Sequence, residues 1–279
     1  MEGPGAGGQS RTGKRKLMKF ETMKYETMKY ETMKYETMKY ETMKYETRGA
    51  VAWIRMNRPD AMNAFNAQMV EEFNAAIDRF RDDPELKAAV VAGEGRRAFC
   101  AGRDMKEDRS KASTPRASLN FVEQGYCNKP LVAAIRGHCV GQGIAVALSC
   151  DLRVCASDAV FSAPEVAHGM AIGGLGALIV RAIGLPAATE LCLLADKRDA
   201  TWALKWGMAH QVVIPGEEEA AAEKLALRLA GMDTAAMQVS KQALQKSVDL
   251  SFREVVEFAE PLRKEVERAR LARRATGGH

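Results

Sequence analysis

The sequence predicts an α/β fold with a helical C-terminal layer. Three observations carry this: short β-rich apolar runs closed by glycine or Asn-Pro turns, helical patterns between them, and almost unbroken helical patterns after residue 174. The first run, 50–56, is β-rich but alternates poorly and ends at Asn57-Arg-Pro59. Asn66 is placed to cap a helix that carries Met69, Phe73, Ile77 and Phe80 on one face, and Asp82-Asp-Pro84 stops it. Strands are predicted at 88–92, 131–135, 152–156 and 160–162, with a small-residue helix at 142–149. Further helices are predicted at 175–183, 187–194, 200–206, 217–230 and 234–247, with a long charged one from residue 252.

The chain divides at this level into a repeat tail at 1–44, an α/β core at 45–195 and a helical region at 196–279. Residues 18–47 read Met-Lys-Phe/Tyr-Glu-Thr six times. A five-residue period fits neither helix nor strand, so the tail resembles a leader or a slippage expansion rather than working machinery. Its last copy is placed to enter a first strand. Residues 1–48 hold 11 Lys+Arg against 7 Asp+Glu, a net of +4, which leaves only +1 of the total +5 to the rest. The basic balance therefore belongs to the tail. Because each repeat's Glu cancels its Lys, a nucleic-acid partner is not expected.

With 47% apolar and 28% charged residues, 279 residues suffice for a sizeable core. No uninterrupted apolar run reaches the roughly 18–20 residues of a membrane helix, and the start lacks a secretory apolar stretch, so a cytoplasmic protein without a membrane partner is expected. Cys100, Cys127, Cys139, Cys150, Cys155 and Cys192 form no Cys-x-x-Cys pair, which suits buried reduced thiols. His138, His168, His210 and His279 show no ligand spacing with them, so no metal is expected.

Two glycine turns carry the chemistry. The first is Ala98-Phe-Cys-Ala-Gly-Arg-Asp-Met-Lys-Glu107, where an apolar run meets Ala-Gly and then a polar, helix-like start. The second is Ile135-Arg-Gly-His-Cys-Val-Gly-Gln-Gly-Ile144, where a strand turns into a helix at about Gln142. Helix N-termini expose unpaired N–H groups with a partial positive charge, and two such groups aimed at one point stabilise an oxyanion. Neither turn matches a phosphate loop or a dinucleotide fingerprint: no Gly-Lys-Ser/Thr follows, and Val146 occupies the third glycine position.

Taken in order, five segments resemble the crotonase (enoyl-CoA hydratase/isomerase) superfamily: Arg58-Pro-Asp-Ala-Met-Asn-Ala64, residues 98–107, the stretch from Pro130 to Cys150-Asp151, Ala163-Pro-Glu165 with Gly169, and Lys205-Trp-Gly-Met-Ala-His-Gln-Val-Val213. The resemblance runs from about Tyr45 to about Ser247. It implies a ββα spiral core, an acyl-CoA enzyme of fatty acid metabolism, a CoA thioester as substrate with no other cofactor, and a homotrimer or dimer of trimers.

The resemblance also implies roles. The N–H groups of Arg103 and Gln142 would hold the thioester oxygen. Ala101, Arg103, Asp104, Met105 and Lys106, with Gln142 and Gly143, would line the CoA-binding side. Glu165 would be the acid/base; its neighbours Ala163, Val166 and Ala167 are small and apolar, a setting that raises a carboxyl pKa by desolvation. Family hydratases carry a second Glu where this chain has Ala145, and other members carry an Asp where it has Gly173. Double-bond isomerisation is therefore slightly favoured over hydration, with His168 and Glu123 as stand-ins to be located. A reading of another class is a catalytically weak RNA-binding or assembly protein on the same scaffold, motivated by the missing carboxylate and the basic tail. The C-terminus departs as well, because 254–274 lacks the family's usual ending.

Overall fold

The computed structural model describes residues 40–107, 119–123 and 125–275. Most of the repeat tail lies outside the described residues. Among the described residues, ten strands form two sheets. The larger has the order β1 (Met43–Arg48), β2 (Val51–Met56), β3 (Ala88–Gly93), β5 (Leu131–Ile135), β7 (Leu152–Ala156), β10 (Gln211–Val213). Only β1–β2 is antiparallel; the other four pairs are parallel. The smaller sheet has the order β4 (Ala98–Cys100), β6 (His138–Val140), β8 (Val160–Ser162), β9 (Arg198–Asp199). Seven α-helices are present among the described residues: α1 (Ala67–Asp82), α2 (Gln142–Ser149), α3 (Gly174–Leu194), α4 (Ala200–Trp206), α5 (Glu218–Ala230), α6 (Thr234–Lys246) and α7 (Phe252–Ala275).

The inner strands β2, β3, β5 and β7 of the larger sheet are buried on both faces, which explains the poor alternation of β2. Ala52, Ile54 and Met56 join Phe73, Ile77 and Phe80 of α1 in the main core. Val51 and Trp53, with Val90, Val132 and Val154, face Ala222, Ala226 and Ala230 of α5. Parallel strands covered on both faces read as continuous apolar runs. Alanines every fourth residue let α5 approach the sheet closely.

Asn66 caps α1 as its sequence predicts, its side chain accepting the Met69 N–H at 3.0 Å. The last repeat does enter a strand: β1 begins at Met43, and the Glu72 carboxylate accepts hydrogen bonds from the Thr42 N–H (2.8 Å) and hydroxyl (2.7 Å). A kink at Gly184, whose backbone is non-helical (φ +75°, ψ 161°), breaks α3 into the two helical pieces the sequence predicts, with Pro186 opening the second. By length and composition α3 passes as a membrane span, but Arg181 and Glu190 interrupt it and Ile179, Ile183, Ala187 and Leu191 are buried in the protein core.

One local expectation changes. The helix-like start after Gly102 is a turn, in which Arg103 bridges Phe65 in parallel fashion and Asp104 Oδ1 accepts the Lys106 N–H at 3.0 Å. Glu123 closes the short 3-10 turn Asn120–Val122 and is exposed.

Candidate functional site

The two sheets bring the two glycine turns together. The first leaves β4, where Gly102 has φ +93°. A side chain at Gly102 would place its Cβ 3.0 Å from the Val140 carbonyl and 3.6 Å from the Gln142 nitrogen. Glycine is thus required there both by its dihedral and by the approach of the second turn.

Around Arg103 the backbone is committed on the side of Phe65. The Phe65 N–H donates to the Gly102 carbonyl at 2.8 Å, and the Asp104 N–H donates to the Phe65 carbonyl at 2.9 Å. In a parallel bridge the residue between these bonds points its own N–H the other way. No backbone hydrogen bond from the Arg103 N–H occurs among the described residues.

The second turn leaves β6 at Gly141, the N-cap of α2 (φ +51°, ψ −112°). Its N–H donates to the Ser162 carbonyl at 3.0 Å, and its carbonyl accepts from Ile144 (2.9 Å) and Ala145 (3.2 Å). Gln142 stands at the first helical position, where an N–H has no intrahelical acceptor. A Cβ at Gly143 would lie 2.4 Å from the Cys100 carbonyl, so this glycine lets α2 seat against β4.

Glu165 follows β8 through Ala163-Pro164 and is half-buried. Its carbonyl accepts from the His168 (3.1 Å) and Met170 (2.9 Å) N–H groups, which fixes the chain as it leaves the strand. The side chain runs back to the second turn: Oε1 is 2.9 Å from where a Cβ of Gly141 would be. Oε2 is buried and has no hydrogen-bond partner among the described residues. Burial raises the Glu165 carboxyl above its ordinary value; its own backbone N–H and the charge of His168 oppose this only in part.

Of the residues that the two glycine turns and the family resemblance single out, Arg103, Gln142, Gly143 and Glu165 converge on the meeting point of β4, β6, β8 and α2. Ala101 borders it, half-buried, and its N–H is tied to the Met62 carbonyl at 2.9 Å. Met105 and Lys106 are exposed beyond it, while the Asp104 carboxylate turns inward to Arg58 at 2.9 Å. Ala145 is buried on α2, and Gly173, with φ +55°, serves as the N-cap of α3. His168 is exposed on the short turn after Glu165. Sequence reasoning misses Cys192, a buried thiol that feels the Glu165 charge. It also misses the roles of Arg58 and Asn63, whose motif is visible but whose partners are not.

Comparison with known proteins identifies the family. The family model described as enoyl-CoA hydratase/isomerase matches residues 46–272. The chain is 31% identical to a short-chain-enoyl-CoA hydratase of Clostridium acetobutylicum, over 72% of this chain and 79% of that protein. It is 34% identical to a carnitinyl-CoA dehydratase of Proteus mirabilis, over 74% of this chain and 81% of the relative. A solved structure of a probable enoyl-CoA hydratase/isomerase from Mycobacterium abscessus superposes with TM-score 0.75 at 30% identity, covering 82% of this chain and 91% of that one. Fold, family model and relatives agree, and the chain belongs to the enoyl-CoA hydratase/isomerase family of the crotonase superfamily.

Proposed function

We propose that the protein moves a proton between carbons of an enoyl-CoA thioester, with Glu165 as acid/base and the Arg103 and Gln142 N–H groups holding the enolate oxygen. The observation that carries this reading is the buried, unpartnered Oε2 of Glu165 beside the N-terminus of α2. Removing an α-proton from a 3-enoyl thioester places negative charge on the carbonyl oxygen. Two preorganised N–H groups stabilise that charge, each by about 3–4 kcal/mol as judged from oxyanion-hole mutants. The proton held on Glu165 returns at the γ-carbon, which gives the 2-enoyl thioester and restores the carboxylate.

Ala145 supports isomerisation over hydration, because it offers no second carboxylate to direct a water. Hydration is the second reading, favoured by the enoyl-CoA hydratase and carnitinyl-CoA dehydratase names of the relatives. Both need the same oxyanion site and the same Glu165. The exposed apolar side chains Leu193, Leu194 and Leu204 support a self-associating, trimeric form, which sedimentation measures directly.

The deciding experiment compares 3-enoyl-CoA isomerisation with 2-enoyl-CoA hydration, wild type beside Glu165→Gln. The expected result is faster isomerisation and loss of both activities in the variant. An unchanged rate in Glu165→Gln removes the assignment of the base, and faster hydration favours the second reading.

A further inference from the structure

We propose that Arg58 and Asp104 are positioning residues that set the aim of the Arg103 N–H, an inference that rests on the oxyanion reading above. The Arg58 guanidinium spans the short bridge between Phe65 and Arg103. Its Nη1 donates to the Ala64 carbonyl at 2.5 Å, on one side of the bridge, and its Nη2 donates to Asp104 Oδ2 at 2.9 Å, on the other. The Asp104 Oδ1 accepts the Lys106 N–H at 3.0 Å, so both carboxylate oxygens are used. Arg103 is therefore held between two residues, Gly102 and Asp104, that are themselves tied to Phe65.

The support behind Arg58 is equally fixed. Its N–H donates to Asn63 Oδ1 at 3.0 Å, and its carbonyl accepts the Asn63 N–H at 2.8 Å. Asn63 is fully buried, with φ +55°, and its Nδ2 donates to the Glu94 (3.0 Å) and Ala98 (2.9 Å) carbonyls. The loop that carries Arg58 is thereby pinned to the end of β3 and the start of β4, the strand that delivers Arg103. Burial pushes the Asp104 carboxyl up, but Arg58 and the Lys106 N–H outweigh it and hold it below the ordinary range.

A planar guanidinium presents parallel N–H groups in a fixed fork, so it sets the separation of two acceptors as well as their charge. A lysine at 58 supplies charge without that fork. Without Arg58, the Ala64 carbonyl and Asp104 lose their common donor, and the bridge to Phe65 is left on its two backbone hydrogen bonds alone. A small shift of the 102–103 peptide, which carries the Arg103 N–H, then redirects that group while leaving CoA contacts in place, and misaim of this kind lowers turnover more than binding.

The test uses butyryl-CoA labelled with 13C at the thioester carbonyl, a saturated probe with no double bond to move or hydrate. Difference infrared spectroscopy reads its carbonyl stretch when bound, and steady-state kinetics are measured beside it. In the wild type the stretch is expected below that of free thioester. Arg58→Met is expected to bring it at least halfway back, with kcat down about tenfold or more and KM within about threefold. Arg58→Lys is expected in between, and Asp104→Asn in the same direction as Arg58→Met. Circular dichroism establishes folding; if Arg58→Met does not fold, Asp104→Asn, which keeps the side chain's size, carries the test. A folded Arg58→Met or Asp104→Asn with the wild-type stretch and kcat overturns the proposal. An undisplaced stretch in the wild type overturns the oxyanion reading itself, whereas failure of the Glu165 assignment leaves this readout unaffected.

Discussion

The carboxylate of Glu165 occupies the space that a side chain at Gly141 would need, with Oε1 2.9 Å from the position of the missing Cβ. Gly141 also holds φ +51° and ψ −112°, which costs an L side chain about 1–3 kcal/mol. Gly141→Ala is therefore expected to lower stability by at least that amount and to push the carboxylate aside. Displacing a reacting group by about an ångström costs on the order of 100-fold in rate. Thermal melts and kcat/KM of Gly141→Ala check this. In Gly141→Ala/Glu165→Ala part of the lost stability is expected back, because the clash is gone while the dihedral strain stays.

Glu165 links activity and stability to pH in opposite senses. Burial raises its folded-state pKa, so the native chain holds the proton more tightly than the unfolded chain. The stabilising contribution is complete below the ordinary carboxyl value of about 4.3 and is lost as pH rises through the folded value. Glu165→Gln cannot ionise and avoids that loss. Its Tm is expected to exceed that of the wild type by more at pH 7 than at pH 4. Proton abstraction needs the ionised form, so wild-type kcat/KM is expected to rise with pH through a midpoint above the free-glutamate value. At pH 7 the variant is expected to lose at least about 100-fold. Parallel Tm curves for the two proteins at both pH values would argue against the buried setting of Glu165.

Much of the fold is legible in the sequence because local and tertiary demands agree. Asn66, Met69, Phe73, Ile77 and Phe80 announce both the cap and the buried face of α1, and all four apolar members are buried. Gly184 and Pro186 announce the break in α3. Of the smaller sheet only β8, at 160–162, is legible as a strand; β4 and β6 have three residues each and β9 two, too short for a period to show. The sheet's existence depends on pairing across long separations, such as Cys100 with Cys139. The site divides in the same way. Glycines 102, 141 and 143 stand out as turn chemistry, whereas the Arg58–Asp104 pair joins residues 46 apart and no local pattern reveals it.

Lys241 ties α6 to the start of β5. Its ammonium donates to the Lys129 carbonyl at 2.8 Å and to Asp151 Oδ2 at 2.8 Å, and the same oxygen accepts the Leu131 N–H at 2.8 Å. Lys241 is buried, so removing its charge leaves the Asp151 carboxylate without its counter-ion, held by the Leu131 N–H alone, and the Lys129 carbonyl with only the weak Cys127 thiol donor at 3.8 Å. Breaking a buried pair from one side costs about 3–5 kcal/mol, and Asp151 retains some solvent access, which moderates the penalty. Lys241→Met, which keeps the apolar stem, is expected to lose about 2–3 kcal/mol. Urea unfolding is expected to show a lower midpoint with an unchanged slope. Lys241→Met/Asp151→Asn is expected to recover part of the loss, because no charge is then stranded.

The six cysteines are free and buried, and burial pushes the thiols of Cys100, Cys150 and Cys155 up to about 12. At pH 8 a thiol of that acidity is ionised to only about one part in ten thousand, and the thiolate is the reactive form. Cys100 and Cys139 lie side by side on β4 and β6, yet both are enclosed in the main core. Ellman's reagent is accordingly expected to react with less than one equivalent in the native protein at pH 8, and with all six after denaturation. The native reaction is expected to follow the unfolding rate, so adding reagent leaves it unchanged once unfolding limits it. A cysteine that reacts quickly in the folded protein, in proportion to reagent, would place that thiol at the surface and contradict the packing of β4, β6 and β7.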